Sequence, residues 1–149
     1  EFYRIYAENC KRIKLPSLPR EFLEASARSY GAQFYAVHAY QPSGAAGAVL
    51  ALLVAGDTAY YTFNGSTEEG RHDQAPNLAA WEAILEARRR GCRWFDFDGI
   101  VDERYTAGKE WEGFSDFKAG FGGREVTFLG SFRKWVPFLR PRVRGSPLA

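Results

Sequence analysis

Apolar and polar residues follow two different periods along this chain, and each change of period marks an element. Phe2, Ile5, Tyr6 and Asn9 fall at helical spacing, which predicts an amphipathic helix over residues 2 to about 13. Lys11, Arg12 and Lys14 close it in keeping with the helix dipole, and Leu15-Pro16 stops it. A second helix opens at Pro19 with Ser17 as its cap and runs to about Ser29, where Gly31 ends it. Gln33 to Tyr40 is aromatic and β-branched enough for a strand. Gly47 to Ala55 is apolar without a break, as a central strand covered on both faces should be. Gly56-Asp57 then turns the chain into an aromatic return strand from Thr58 to Asn64. An antiparallel meander of three strands follows from these signals.

From Gly65 to Ala75 the residues are polar and without period, which predicts a loop across the mouth of the sheet. Pro76-Asn77 opens the clearest helix, with Leu78, Trp81, Ile84, Leu85 and the stem of Arg88 on its apolar face and Gly91 at its end. Arg93 to Asp98 reads as a strand with Trp94, Asp96 and Asp98 on one side and Phe95 and Phe97 on the other. Because it follows a helix, it can join the sheet in parallel through a crossover. A long loop over residues 99–112 leads to a short helix from Phe114 to Ala119, broken by Gly120, Gly122 and Gly123. Val126 to Phe132 is the last predicted strand, and Lys134 to Leu139 adds a helical turn. This order describes an α/β protein with a mixed sheet, the element sequence of a GNAT-type acyltransferase lobe. Residues 1–139 make that lobe and 140–149 a basic Pro/Arg tail.

Composition narrows the function classes. With 46% hydrophobic and 16% aromatic residues the chain is too apolar to be disordered. A net charge of +2 lacks the dense basic stripe of a non-specific nucleic-acid binder. Arg133, Lys134, Arg140, Arg142 and Arg144 do gather at the end, either as a solvated tail or as a contact for phosphate or anionic lipid. Cys10 and Cys92 are too few for a disulfide framework, and no Cys/His spacing supports zinc, so no metal is expected. No apolar run is long enough to span a bilayer, which points to a cytoplasmic setting. Methionine is absent and the first residues already read as helix interior, so a piece of a longer protein is expected.

Acyl-CoA users of this fold cradle a pyrophosphate on backbone N–H groups at the start of the central helix. Here Pro76 has no N–H, three carboxylates stand in the preceding loop and no Gly-x-Gly or Gly-x-Ala pattern occurs, which disfavours CoA held in that manner. Gly70 and Arg71 remain as contributors to an anion site. His38 and His72 have no Ser or Cys and acidic partner by spacing, so a nucleophilic triad is not supported. Asp96 and Asp98 share a strand face, where repulsion could raise one pKa or loop N–H groups could engage both.

The chain resembles the FemABX family of peptidoglycan aminoacyltransferases from about Phe2 to Trp135. The matching stretches are Lys11-Arg12 before Pro16, Tyr60 to Ser66, Asn77 to Ile84, Phe95-Asp96-Phe97-Asp98-Gly99 and, most specific, Gly113 to Gly123 with Phe117-Lys118 at its centre. The resemblance implies the second of two GNAT-like lobes, with an N-terminal lobe missing. It implies transfer of an aminoacyl group from the acceptor end of aminoacyl-tRNA to an amine of a nucleotide- or lipid-linked peptidoglycan precursor. No cofactor or metal enters that reaction, and the implied place is the cytoplasm, at the inner face of the membrane. Lys118 matches the family lysine at the aminoacyl ester, where a cation lowers the barrier to a tetrahedral oxyanion. Phe117 matches the neighbouring aromatic; of the two strand acids, Asp98 is the more exposed candidate for a catalytic proton acceptor. Arg12, Tyr60, Tyr61 and Ser66 match substrate-side positions, Asp96 is read as a structural or orienting group on the substrate side, and Gly120 and Gly122 allow a ligand close to the backbone. Phe63 stands where a further tyrosine is expected. An acyl-CoA or acyl-carrier N-acyltransferase and a non-catalytic binding lobe of the same fold remain as alternatives.

Overall fold

A computed structural model describes residues 1–101 and 112–129. Its elements are α1 (Phe2–Arg12), α2 (Arg20–Tyr30), β1 (Phe34–Tyr40), β2 (Ala46–Ala55), β3 (Thr58–Ser66), α3 (Glu68–His72), α4 (Ala75–Arg89), β4 (Trp94–Asp96) and α5 (Glu112–Ala119). The sheet runs β1-β2-β3-β4, antiparallel through the first three strands and parallel between β3 and β4. The meander and the parallel crossover through α4 therefore stand as the sequence predicts.

β2 is buried from Ala46 to Leu52 because helices cover both of its faces. On one side Leu50, Leu52, Ala59 and Tyr61 pack against α4, joined by Phe114 and Phe117 of α5 and by Phe121. On the other side Ile5 of α1 meets Ala46 and Val49, and Tyr6, Cys10 and Leu23 gather with Phe63. A β-bulge lets β3 serve both layers. Ala51 pairs with Phe63 and the next residue, Leu52, pairs with Tyr61, so Thr62 is the extra residue and its hydroxyl donates to Ala51 O at 2.7 Å. Simple alternation would put Tyr61 and Phe63 on one face; the bulge sends Tyr61 to the α4 layer and Phe63 to the α1 and α2 layer.

Several expectations need correction. Ser17 does not cap α2: Pro19 holds the N-cap position without a side-chain bond, its fixed φ leading straight into the first turn. The predicted polar loop after residue 65 contains α3. Thr67 caps that helix by accepting from Gly70 N at 2.9 Å, and Thr67 N donates to Gly47 O at 2.9 Å, so α3 lies on β2. A Cβ on Gly70 would collide with the Gly47 backbone, which is why only glycine permits this approach. The buried face of α4 is Ala75, Ala79, Ala80, Ala83 and Ala87, whereas Leu78 and Trp81 are 50% and 52% exposed. Small side chains let the helix approach the sheet closely, and this close approach outweighs the pull of the larger residues.

β4 spans only Trp94–Asp96. Asp98 takes a left-handed φ of 65° and its N–H donates to Asp96 Oδ1 at 2.8 Å, so the two acids do not share a strand face. Val126 to Leu129 form no strand and are exposed, Leu129 to 89%. The rest of that predicted strand, the turn at 134–139, the C-terminal basic cluster, the proposed domain limit at 139 and most of the loop over 99–112 lie outside the described residues.

Candidate active site

One cavity of about 440 Å³ opens between α1 and the start of α4, with α5 closing one side. α1 gives Asn9 and Arg12, with Ile13 and Leu15 just beyond it. β3 gives Tyr61 before the bulge and Asn64 and Ser66 after it, the extra residue having put all three on one face. Arg71 of α3 and Gln74, Pro76 and Asn77 at the start of α4 form the far wall. Phe114 and Phe117 supply the apolar wall from α5. No carboxylate lines this cavity among the described residues.

Two guanidiniums face the space. Arg12 Nη2 donates to Asn9 Oδ1 at 2.9 Å, and Asn9 is itself buried. Arg71 Nη1 donates to Ser66 O at 3.0 Å and reaches Ser66 Oγ at 3.5 Å. The Arg12 guanidinium is held below its ordinary pKa, first by partial burial and then by the positive charge of Arg71. Tyr61 is nearly fully buried and burial pushes its phenol well up, so it stays a neutral hydroxyl.

Lys118 turns inward and is only 4% exposed. Its Nζ donates to Gly99 O at 2.6 Å and stands 4.1 Å from the Phe114 ring centre and 5.9 Å from that of Tyr61. Burial lowers its pKa to about 8, against the pull of Asp98 and Asp96, which favour the charged form. The ammonium thus lies directly behind two rings that line the cavity, not in the open wall. Val101 N donates to Ser115 Oγ at 2.8 Å, which ties the segment after β4 to α5 and keeps Gly99 over Lys118.

The FemAB family model matches residues 21–140, most of the chain. The chain belongs to the FemAB family. Its fold is that of N-acetyltransferases. An aminoglycoside antibiotic 6'-N-acetyltransferase from Acinetobacter baumannii superimposes with a TM-score of 0.60 at 14% identity, over 90% of this chain and 93% of that one. An acetyltransferase from Trypanosoma brucei gives 0.58 at 12% identity, over 88% and 89%. No curated protein matches the chain. This FemAB-family fold brings Arg12, Tyr61, Ser66 and Phe117 to one cavity, with Lys118 behind its wall.

Other residues expected at the site of this FemAB-family chain lie elsewhere. Tyr60 is on the opposite sheet face from Tyr61, 39% exposed and paired with Asp96. Asp96 and Asp98 do not line the cavity but act on Lys118 by charge. Gly120 and Gly122 follow α5 away from the lining; Gly122, at φ 73°, serves the turn that ends the helix. Phe63 packs edge-on against Tyr6 and Phe22, so a hydroxyl at that position would not point at the cavity. The amides Asn9, Asn64 and Asn77 and the Phe114 ring were not singled out from sequence. Asn64 and Asn77 sit within the family-like stretches, the one signal that could have found them.

Proposed function

We propose that this domain transfers an aminoacyl group from the acceptor end of aminoacyl-tRNA to an amine of a peptidoglycan precursor. The observation that carries the reading is the buried Lys118 ammonium beside the Phe114, Phe117 and Tyr61 wall of a cavity rich in amides and guanidiniums. Attack of an amine on the ester carbonyl forms a C–N bond and a tetrahedral oxyanion; collapse then breaks the C–O bond of the tRNA ribose. The amine proton passes to that departing oxygen. A cation held in a water-poor place stabilises the oxyanion more than one in water does. Movement of the Phe114 ring brings Nζ to the carbonyl, with the Gly99 bond given up for the oxyanion. Phe117 offers a ring on which the terminal adenosine stacks. Arg12 and Ser66 hold the acceptor side, and an N-terminal lobe completes its binding.

The test is single-turnover transfer from aminoacyl-tRNA by the full-length protein carrying Lys118→Ala or Lys118→Arg. The alanine variant is expected to lose about 100-fold or more, the range for removal of one oxyanion-stabilising group. Arginine should restore part of the rate. Transfer at the parent rate by the alanine variant removes Lys118 from the chemistry.

A further inference from the structure

We infer that Ser115 and Asp96 are positioning residues for Lys118, holding the Gly99 carbonyl against its ammonium from the two ends of the segment 98–101. α5 grips that segment at two points: Ser115 Oγ accepts from Val101 N at 2.8 Å, and Lys118 Nζ donates to Gly99 O at 2.6 Å. Residues three apart on a helix share a face, and the two bonds take alternate residues of the segment, so both form together in one register only. At the other end Asp96 Oδ1 accepts from Asp98 N at 2.8 Å, a side-chain turn of the kind that lets aspartate take up a left-handed backbone, and Asp98 has a φ of 65°. This bend follows the end of β4 and delivers the next carbonyl, that of Gly99, to α5.

The grip matters because Lys118 is buried beside rings. Among the described residues, the ionisable groups that act on the ammonium are Asp98 and Asp96 at the end of β4 and the Tyr61 phenol of β3, which stays neutral; Asp116, on α5 itself, is exposed. The Gly99 carbonyl and the two carboxylates favour the charged form, and burial opposes them. All three favourable groups belong to the stretch 96–99, so releasing that stretch takes them away together, while the Phe114 and Tyr61 rings stay in place. What remains favours a neutral amine, which does not stabilise an oxyanion. Neither Ser115 nor Asp96 lines the cavity, so each acts on the reaction through Lys118. The kinetic consequence rests on the proposed aminoacyl transfer; the grip itself does not.

The test is the pH titration of the Lys118 Cε signal in the full chain labelled with ¹³C-lysine, the signal being assigned by its loss in Lys118→Met. From a parent midpoint near 8, Ser115→Ala should bring the midpoint down by about 0.5 to 1 pH unit, the size expected when one neutral hydrogen bond no longer holds the segment. Ser115→Thr, which keeps the hydroxyl, should restore it. Asp96→Asn removes a charge but keeps an oxygen for Asp98 N, so Asp96→Ala should lower the midpoint further than Asp96→Asn does. Melting curves accompany each variant, and Ser115→Ala keeps the test open if Asp96→Ala unfolds. In single-turnover transfer by the full-length protein, the alkaline limb should move down with the midpoint while KM holds. A midpoint still near 8 in Ser115→Ala overturns the role, since the segment then holds without that bond. A midpoint that climbs toward 10.5 overturns it too, because the segment would then serve as a cover that excludes water and not as a partner. A midpoint that falls in a protein whose parent shows no aminoacyl transfer upholds the grip and counts against the proposed reaction alone.

Discussion

Replacing Lys118 with methionine should change how stability depends on pH, in a direction that the burial of this side chain determines. In the folded protein the ammonium gives up its proton near pH 8, against 10.5 for an ordinary lysine. Between those two values the unfolded chain holds more protons than the folded one, so unfolding free energy rises with pH through that window. The full gap corresponds to about 3 kcal/mol, at 1.36 kcal/mol per pH unit. Methionine fills similar space without a charge, so Lys118→Met should be flat where the parent climbs. The difference between the two is the useful quantity, because tyrosines and other lysines titrate in both proteins alike. Urea unfolding between about pH 7 and pH 10.5 measures it. Below the window, the variant gains by losing a buried charge and loses the bond to Gly99, so its stability should be near or above that of the parent. A parent-minus-variant difference that stays constant across the window would show that Lys118 is not desolvated, and direct observation of its Nζ titrating near 10.5 would say the same.

Other consequences are open to measurement. If the ammonium is the active form, kcat/KM should fall as pH rises through about 8, and the Lys118→Arg protein should keep its rate there; a parent profile still level well above pH 8 argues against a charged Lys118. Gly70→Ala should lower the unfolding free energy by about 2 kcal/mol or more, because its methyl meets the Gly47 backbone, and it should impair substrate binding by displacing Arg71; an unchanged melting temperature would contradict the packing of α3 on β2. Ala83→Leu should cost about 1–3 kcal/mol through overpacking, while Trp81→Gln on the outer face should cost under about 0.5 kcal/mol. The reverse ranking in chemical denaturation would place the other side of α4 against the sheet.

The meander was legible because its signals are local: an unbroken apolar run for β2, and Gly56-Asp57 for the hairpin, whose glycine takes a φ of 62°. The parallel placement of β4 followed from the helix before it. What sequence could not show depends on contacts between distant elements. α3 is five residues long and rests on a glycine-to-glycine approach, so it carries no periodicity of its own. In α4 the larger residues, Leu78 and Trp81, drew the apolar face to the wrong side, because the tight distance to β2 selects alanine. At the site, Arg12, Tyr61, Ser66 and Phe117 were identifiable from the family-like stretches. Tyr60 was grouped with Tyr61 although neighbours on a strand face apart. Asp98 was assigned to β4, but its left-handed backbone lies past the strand's end.

The single additional residue at Thr62 gathers onto one side groups that an unbroken strand would divide. Upstream and downstream halves of β3 are out of phase, so the phenol ring before the extra residue shares a face with the amide and hydroxyl after it, while the ring that supports the first two helices turns the other way. Substitutions at 64 and 66 can therefore retune what the molecule recognises without disturbing the aromatic seam beneath α1 and α2. Straight pairing of the same residues, with no bulge, would instead turn Tyr61 to the side of Phe63 and take its ring out of the cavity wall.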